Sequence, residues 1–147
     1  VTSCKTQIIE ALVASENVPV VSPVATEKNT GQPLNVNADL AASALAAELK
    51  ADKLIYLSDV LGVMRDPSDP ASLINSITSA ETETLIQEKI ITGGMIPKVE
   101  ACFDALDQGV NKVHIIDGRL RHSLLLEIYT TSGVGTQIIS GETTLKV

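Results

Sequence analysis

The sequence predicts an α/β protein with a largely parallel β-sheet. Two observations predict it. Short β-rich runs alternate with helical stretches of about ten residues, the pattern that places helices between parallel strands. The helix signals also fall where that alternation needs them: Thr78 and Glu81 form a capping box, Pro97 sits in a first helical turn, and Gly109 lies just past a helix end.

The elements follow in order. Residues 6–15 read as a helix with Ile8, Ile9, Leu12 and Val13 on one side, and residues 18–24 as a β-rich run. Residues 26–33 (TEKNTGQP) are a turn-rich loop, followed by an alanine-rich helix over 37–49. Residues 53–57 (KLIYL) are a strand and 58–63 the loop at its C-terminal end; the prolines of 66–70 (DPSDP) interrupt regular structure. A helix over 79–89 leads into the glycine loop 90–95, and a second helix spans 96–108. In that helix Val99, Cys102, Phe103 and Leu106 recur at i, i+3, i+4, i+7 and face a core. Residues 113–116 form a strand, 122–128 a helix and 135–140 a final strand. In such sheets ligands sit at the C-terminal ends of strands, which puts Ser58–Gly62 and Asp117-Gly118-Arg119 on the functional edge.

The 147 residues suffice for one compact core, or for one domain with part of another. The chain opens on Val1 with residues that look like the middle of a protein, so a fragment is expected. The net charge is −7, no basic stripe exists, and the aromatics are two tyrosines and one phenylalanine. Both features argue against nucleic acid as a partner, since neither phosphate neutralisation nor base stacking is provided for. No apolar run is long enough to cross a membrane. Cys4 and Cys102 lack metal-binding spacing and read as free thiols in a reducing, cytoplasmic compartment.

Three segments carry candidate chemistry. Lys98 stands in a helix's first turn, where a cation opposes the helix dipole, behind Gly93 and Gly94, which let backbone approach a ligand. A bound anion reconciles both oddities, and Lys98 would then stabilise charge on a transferring phosphoryl group. An ordinary surface lysine after a glycine turn is the competing explanation. In 35–39 (NVNAD), Asn37 is an N-cap and Asp39 suits the positive helix end; capping explains both, but not Asn35, whose amide would hold a carboxylate or phosphate. Asp39 is placed to orient nearby lysines. The loop Asp59, Val60, Leu61, Gly62, Val63 and Met64 would line an adenine or ribose site, or be a plain strand-to-loop turn. His114 lies within a strand and reads as a packed, hydrogen-bonded histidine. The phosphate motifs GxxxxGK[ST] and GxGxxG are absent, so a nucleotide site here is of another kind.

Taken in order, 35–39 (NVNAD), 57–62 (LSDVLG), 91–98 (ITGGMIPK), 114–119 (HIIDGR), 125–129 (LLEIY) and 133–136 (GVGT) resemble the acetylglutamate kinases of the amino-acid kinase family, from about residue 6 to residue 141. The resemblance implies an αβα three-layer sandwich, incomplete at its N-terminal lobe. Residues 1–50 would be the tail of the acceptor-binding lobe and 51–147 the ATP-binding lobe. It implies Lys98 and Asp39 as catalytic, Asn35 and Asn37 as acceptor-binding, and Asp59 to Met64 with Ile90, Ile91 and Thr92 as nucleotide-binding. ATP and Mg²⁺ would be the cofactors and N-acetyl-L-glutamate the acceptor in arginine biosynthesis, with a homo-oligomer at full length. The stretch 129–136 resembles the C-terminal loop of arginine-inhibited members, with Glu127, Gly133 and Gly135 at an effector site. The family's early lysine, glycine-rich phosphate turns and acceptor arginine do not occur here, so the chain alone is expected to be inactive. Glutamate 5-kinase is the alternative enzyme, and a non-catalytic nucleotide- or arginine-binding module the alternative class.

Overall fold

The structure is a computed structural model that describes residue 1 and residues 3–141; residues 142–147, assigned above to the end of the nucleotide lobe, lie outside the described residues. A four-stranded sheet forms the body. Its strands are β3 (Lys53–Ser58), β4 (Ser76–Thr78), β5 (Lys112–Asp117) and β6 (Thr136–Ile139), after a separate hairpin of β1 (Val24–Thr26) and β2 (Pro33–Asn35). The sheet order is β3-β5-β6-β4. The β3–β5 and β4–β6 pairs are parallel, and β5–β6 is antiparallel. Among the described residues the α-helices are α1 (Gln7–Ala14), α2 (Ala38–Glu48), α3 (Ser79–Gln87), α4 (Met95–Asp107) and α5 (Ser123–Tyr129).

Strand β5 is buried along nearly its whole length, and its two faces meet different layers. Val113 and Ile115 join one core cluster with Tyr56, Ile77, Leu85, Val99, Cys102, Ala105 and Ile138, so α3 and α4 cover that face. Helix α2 packs on α4 and β3 on the same side. His114 points the other way, to Glu127 of α5, which supplies the third layer.

Local chemistry explains the helix ends. The Asn37 side chain accepts from the Leu40 N–H at 3.1 Å and starts α2. Thr78 and Glu81 form the expected capping box at the start of α3. Helices α2 and α3 end on Lys50 and Lys89 in the left-handed conformation (φ 51° and 60°), after which the Ala51 and Ile90 N–H groups bond back to Ala46 and Leu85.

Several expectations are corrected. Residues 18–24 are not a strand: only Val24 enters one, and Val18 and Val20 are 87% and 95% exposed. The turn-rich loop over 26–33 does form and closes the β1–β2 hairpin, with Thr26 and Pro33 in its strands and Glu27 N–H donating to the Gln32 carbonyl at 2.8 Å. Helix α1 forms, but none of its residues is buried, and Ile8 is 76% exposed. Phe103 faces the core as expected, half-buried against it. His122 does not belong to α5; it precedes the helix with φ 61°.

Candidate active site

Strands β3 and β5 run parallel in register from Lys53–Lys112 to Ser58–Asp117, so their C-terminal ends share one edge. Helices α2 and α4 each lead through a short turn into β3 and β5, and pack on them. Both helix N-termini therefore lie at that edge, with their positive dipole ends together. Asp39 is in the first turn of α2 and Lys98 in the first turn of α4. Their side chains meet there, with Lys98 Nζ donating to Asp39 Oδ2 at 2.9 Å.

The pair is half-exposed, with side-chain accessibilities of 20% for Lys98 and 34% for Asp39. Water screens such a pair, and its stabilisation is on the order of 1 kcal/mol or less. Stability is thus a weak reason for the arrangement. A carboxylate that fixes an ammonium beside two helix N-termini is, however, an efficient way to pre-aim a cation at an anionic ligand. Lys98 also sits over the Tyr56 ring, 5.6 Å from its centroid.

The glycines before Lys98 face open space. A Cβ at Gly93 or Gly94 would meet no heavy atom within 4 Å, so nothing in the protein demands two glycines in tandem. Gly93 has φ 53°, which accounts for its own identity, whereas Gly94 is in the ordinary helical region at φ −68°. The room left at Gly94 fits a ligand that approaches the backbone.

The loop after β3 is held firmly. Met64 bridges Leu73, and Val63 carbonyl accepts from Ile74 N–H at 2.9 Å. Thr136 Oγ1 accepts from Val63 N–H at 2.8 Å and donates to the Ile74 carbonyl at 2.7 Å. Gly62 is required by this contact, because a Cβ would lie 2.5 Å from Thr136 Oγ1 and its φ is 151°. Val63 and Ile91, each 1–2% exposed, spend their side chains in the core, so only their backbone remains for a ligand. Asp59 and Thr92 are exposed, Val60, Leu61 and Ile90 half-buried, and Asn35 is exposed at the end of β2. Asn37 spends its side-chain oxygen on the cap.

Asp117 closes the same edge. Its carboxylate takes Arg119 in a bidentate pair at 2.9 Å and 2.9 Å and also accepts the Arg119 N–H. The Arg119 side chain and backbone hold the Asp117 carboxyl below the usual carboxylate range. Sequence reasoning placed both residues on this edge but assigned them no role.

Glu127 is buried and faces inward. Its carboxylate accepts from the His114 ring at 2.7 Å, from Val134 N–H at 2.7 Å and from Gly135 N–H at 3.0 Å. Burial pushes its carboxyl up, but the hydrogen bonds from Val134, His114 and Gly135 outweigh that and leave it below the usual range. A groove of about 300 Å³ is lined by Arg65, Ile77, Glu81, Leu85 and Glu88. None of the candidate site residues lines it.

A family model described as the amino acid kinase family matches residues 1–117. The chain belongs to that family. Its relatives among the amino acid kinases include the acetylglutamate kinase of Akkermansia muciniphila, 57% identical over 95% of this chain and 47% of that protein, and that of Moorella thermoacetica, 51% identical over 91% and 45%. This amino acid kinase chain therefore spans about half the length of those relatives. Among solved structures it is similar to N-acetylglutamate synthase from Neisseria gonorrhoeae complexed with coenzyme A and L-arginine (TM-score 0.81, 27% identity, 92% of this chain and 30% of that one). It is also similar to carbamate kinase from Giardia lamblia bound to AMP-PNP (TM-score 0.64, 26% identity, 90% and 43%).

Proposed function

We propose that this chain is the nucleotide-binding part of an acetylglutamate kinase, which transfers the terminal phosphoryl group of ATP to the side-chain carboxylate of N-acetyl-L-glutamate in arginine biosynthesis. The observation that carries the reading is the Lys98–Asp39 pair at the joined N-termini of α4 and α2. Relatives named acetylglutamate kinase, at 46–57% identity, support the choice of acceptor.

In this reading a carboxylate oxygen of the acceptor forms a bond to the terminal phosphorus as the bond to the leaving ADP oxygen breaks. Charge on the transferring group is met by the Lys98 ammonium, held in place by Asp39, and by the N-terminal dipoles of α2 and α4. The 59–64 loop and the 90–92 segment border the nucleotide, largely through backbone. Asn35 holds the acceptor, and Asn37 fixes the helix that carries Asp39. Mg²⁺ supplies charge neutralisation on the phosphates. Phosphate oxygens would be its main ligands, with few from the protein. Residues 1–50 then form the tail of the acceptor lobe and 51–147 the nucleotide lobe of a cytoplasmic enzyme. An arginine effector at Glu127, Gly133 and Gly135 has less support, because the Glu127 carboxylate is already engaged in three internal hydrogen bonds.

The test supplies the part of the enzyme that this chain does not span. The chain mixed with that part of a relative should form ADP in a manner dependent on N-acetylglutamate. The chain alone should not, and Lys98→Ala should lower the reconstituted rate by roughly a hundredfold or more. An unchanged rate in Lys98→Ala would defeat the reading.

A further inference from the structure

We propose that Tyr56, acting with Ser43, is the positioning residue of the Lys98–Asp39 pair: its hydroxyl ties the first turn of α2 to β3 and, through Ser43, to α4, so that the ammonium and carboxylate stay in contact before any ligand arrives. The inference deepens the reading above and rests on it for its functional meaning, but not for its geometry.

The observations begin with a polar pair where an apolar one would pack. Tyr56 is 4% exposed and Ser43 is 3% exposed. Helix α2 is otherwise built largely of alanine and leucine, and a serine inside a helix is a weaker helix former than either. A phenylalanine with an alanine would fill nearly the same space with no hydroxyl to desolvate. The two hydroxyls are instead in mutual contact and reach two backbone carbonyls. Tyr56 Oη lies 3.1 Å from the Asp39 carbonyl, and Ser43 Oγ lies 3.0 Å from the same carbonyl and 3.1 Å from that of Ala101. The hydroxyls have one proton each, which they share among these acceptors and each other.

Placement gives these contacts their meaning. Ser43 is one helical turn after Asp39, and Ala101 is one turn after Lys98. The hydroxyl bridge therefore clamps α2 to α4 one turn below the ion pair. Tyr56 adds the sheet as a third body and presents its ring beneath the Lys98 ammonium, 5.6 Å from the centroid. The half-exposed pair cannot hold two helices in register by its own attraction. Buried hydroxyls with defined acceptors can, because an unmade bond there is costly. Carbonyl acceptors fix direction as well as distance, which apolar contacts do not.

The test is NMR on this chain with its lysines isotopically labelled, the Lys98 ammonium signal being assigned by its loss in Lys98→Arg. Wild type should give a protected Lys98 ammonium signal that disappears in Asp39→Asn. Tyr56→Phe, which keeps the ring and the volume, should also lose it while the backbone amide spectrum outside α2 and α4 stays native; Ser43→Ala is the second variant. A Lys98 signal that stays as in wild type in folded Tyr56→Phe would overturn the proposal, as would the lack of a protected signal in wild type. Addition of Mg-ATP separates the two claims. Lys98 should shift on binding, and Tyr56→Phe should weaken that binding roughly tenfold through lost pre-orientation. If Tyr56→Phe releases Lys98 but saturating Mg-ATP leaves the wild-type signal unmoved, positioning by Tyr56 stands and the phosphate role of Lys98 falls.

Discussion

Replacing Thr136 by valine tests whether one hydroxyl pins the loop after β3. Valine has nearly the same shape, so the fully buried site keeps its packing and gains no cavity. What is lost is the acceptor for Val63 N–H at 2.8 Å and the donor to the Ile74 carbonyl at 2.7 Å. Each stranded buried group costs about 1–3 kcal/mol, and partial relaxation of the loop puts the sum near 3 kcal/mol. Thr136→Ser makes the opposite change. It keeps both hydrogen bonds and removes one methyl group, at a cost of about 1 kcal/mol. Urea denaturation followed by circular dichroism should therefore rank wild type above serine and serine above valine. With a slope of about 1.5–2 kcal/mol per molar, the valine variant should unfold at a urea concentration lower by roughly 1.5–2 M. If Thr136 were only a packing residue, valine would equal wild type and serine would be the weaker variant. That inverted order would refute the reasoning.

Three further outcomes follow from the same geometry. Gly135→Ala should destabilise by about 3 kcal/mol or more in the same assay, because its Cβ would lie 2.3 Å from the Ile115 carbonyl oxygen and 2.6 Å from Ile116 Cγ2, with backbone on one side of the clash. Gly94→Ala should leave stability unchanged or raise it by up to about 1 kcal/mol, since its φ suits alanine and nothing lies within 4 Å; calorimetry should nonetheless find weaker Mg-ATP binding if a ligand uses that space. The Glu127 carboxyl lies below its ordinary value of 4.5 in the folded chain. Its contribution to stability is thus complete above the unfolded value and is lost as pH falls from about 5 through the lower folded value. Thermal melts of Glu127→Gln should be lower than wild type at neutral pH and lose less between pH 5 and pH 3; a parallel loss in both proteins would contradict this.

Much of the fold was legible because it is encoded locally. The capping box at Thr78 and Glu81, the asparagine cap at residue 37 and the apolar stripe of α4 are signals a few residues long, and each element stands within two residues of its expected place. The misses involve non-local or very short pairings. Strand β4 has three residues, and its partner β6 lies about 60 positions later. Residues 18–24 have strand composition, but β propensity describes fit to a sheet face and forms no strand where no edge is offered. Helix α1 shows the same limit: its periodicity gave the helix, but none of its residues is buried.

The site was legible in part for the same reason. A lysine in a first turn behind glycines is a local anomaly, and so was visible. Charge and helix-end placement set Asp39 to orient nearby lysines, but which lysine could not be read, since the 2.9 Å contact with Lys98 joins residues 59 positions apart. The roles of Gly62 and Thr136 could not be read, since their contact spans 74 positions and leaves no periodic trace. Tyr56 read only as a strand residue. Its hydroxyl gains meaning from Ser43, and nothing in either local sequence points to the other.

The central claim is that the Lys98 ammonium is set to meet nucleotide phosphates. A crystal structure of the chain with a non-hydrolysable ATP analogue and Mg²⁺ tests it most directly. The account predicts Lys98 Nζ within about 3.2 Å of a phosphate oxygen, with Asp39 still its neighbour. A triphosphate bound elsewhere, with Lys98 contacting Asp39 alone, would contradict it.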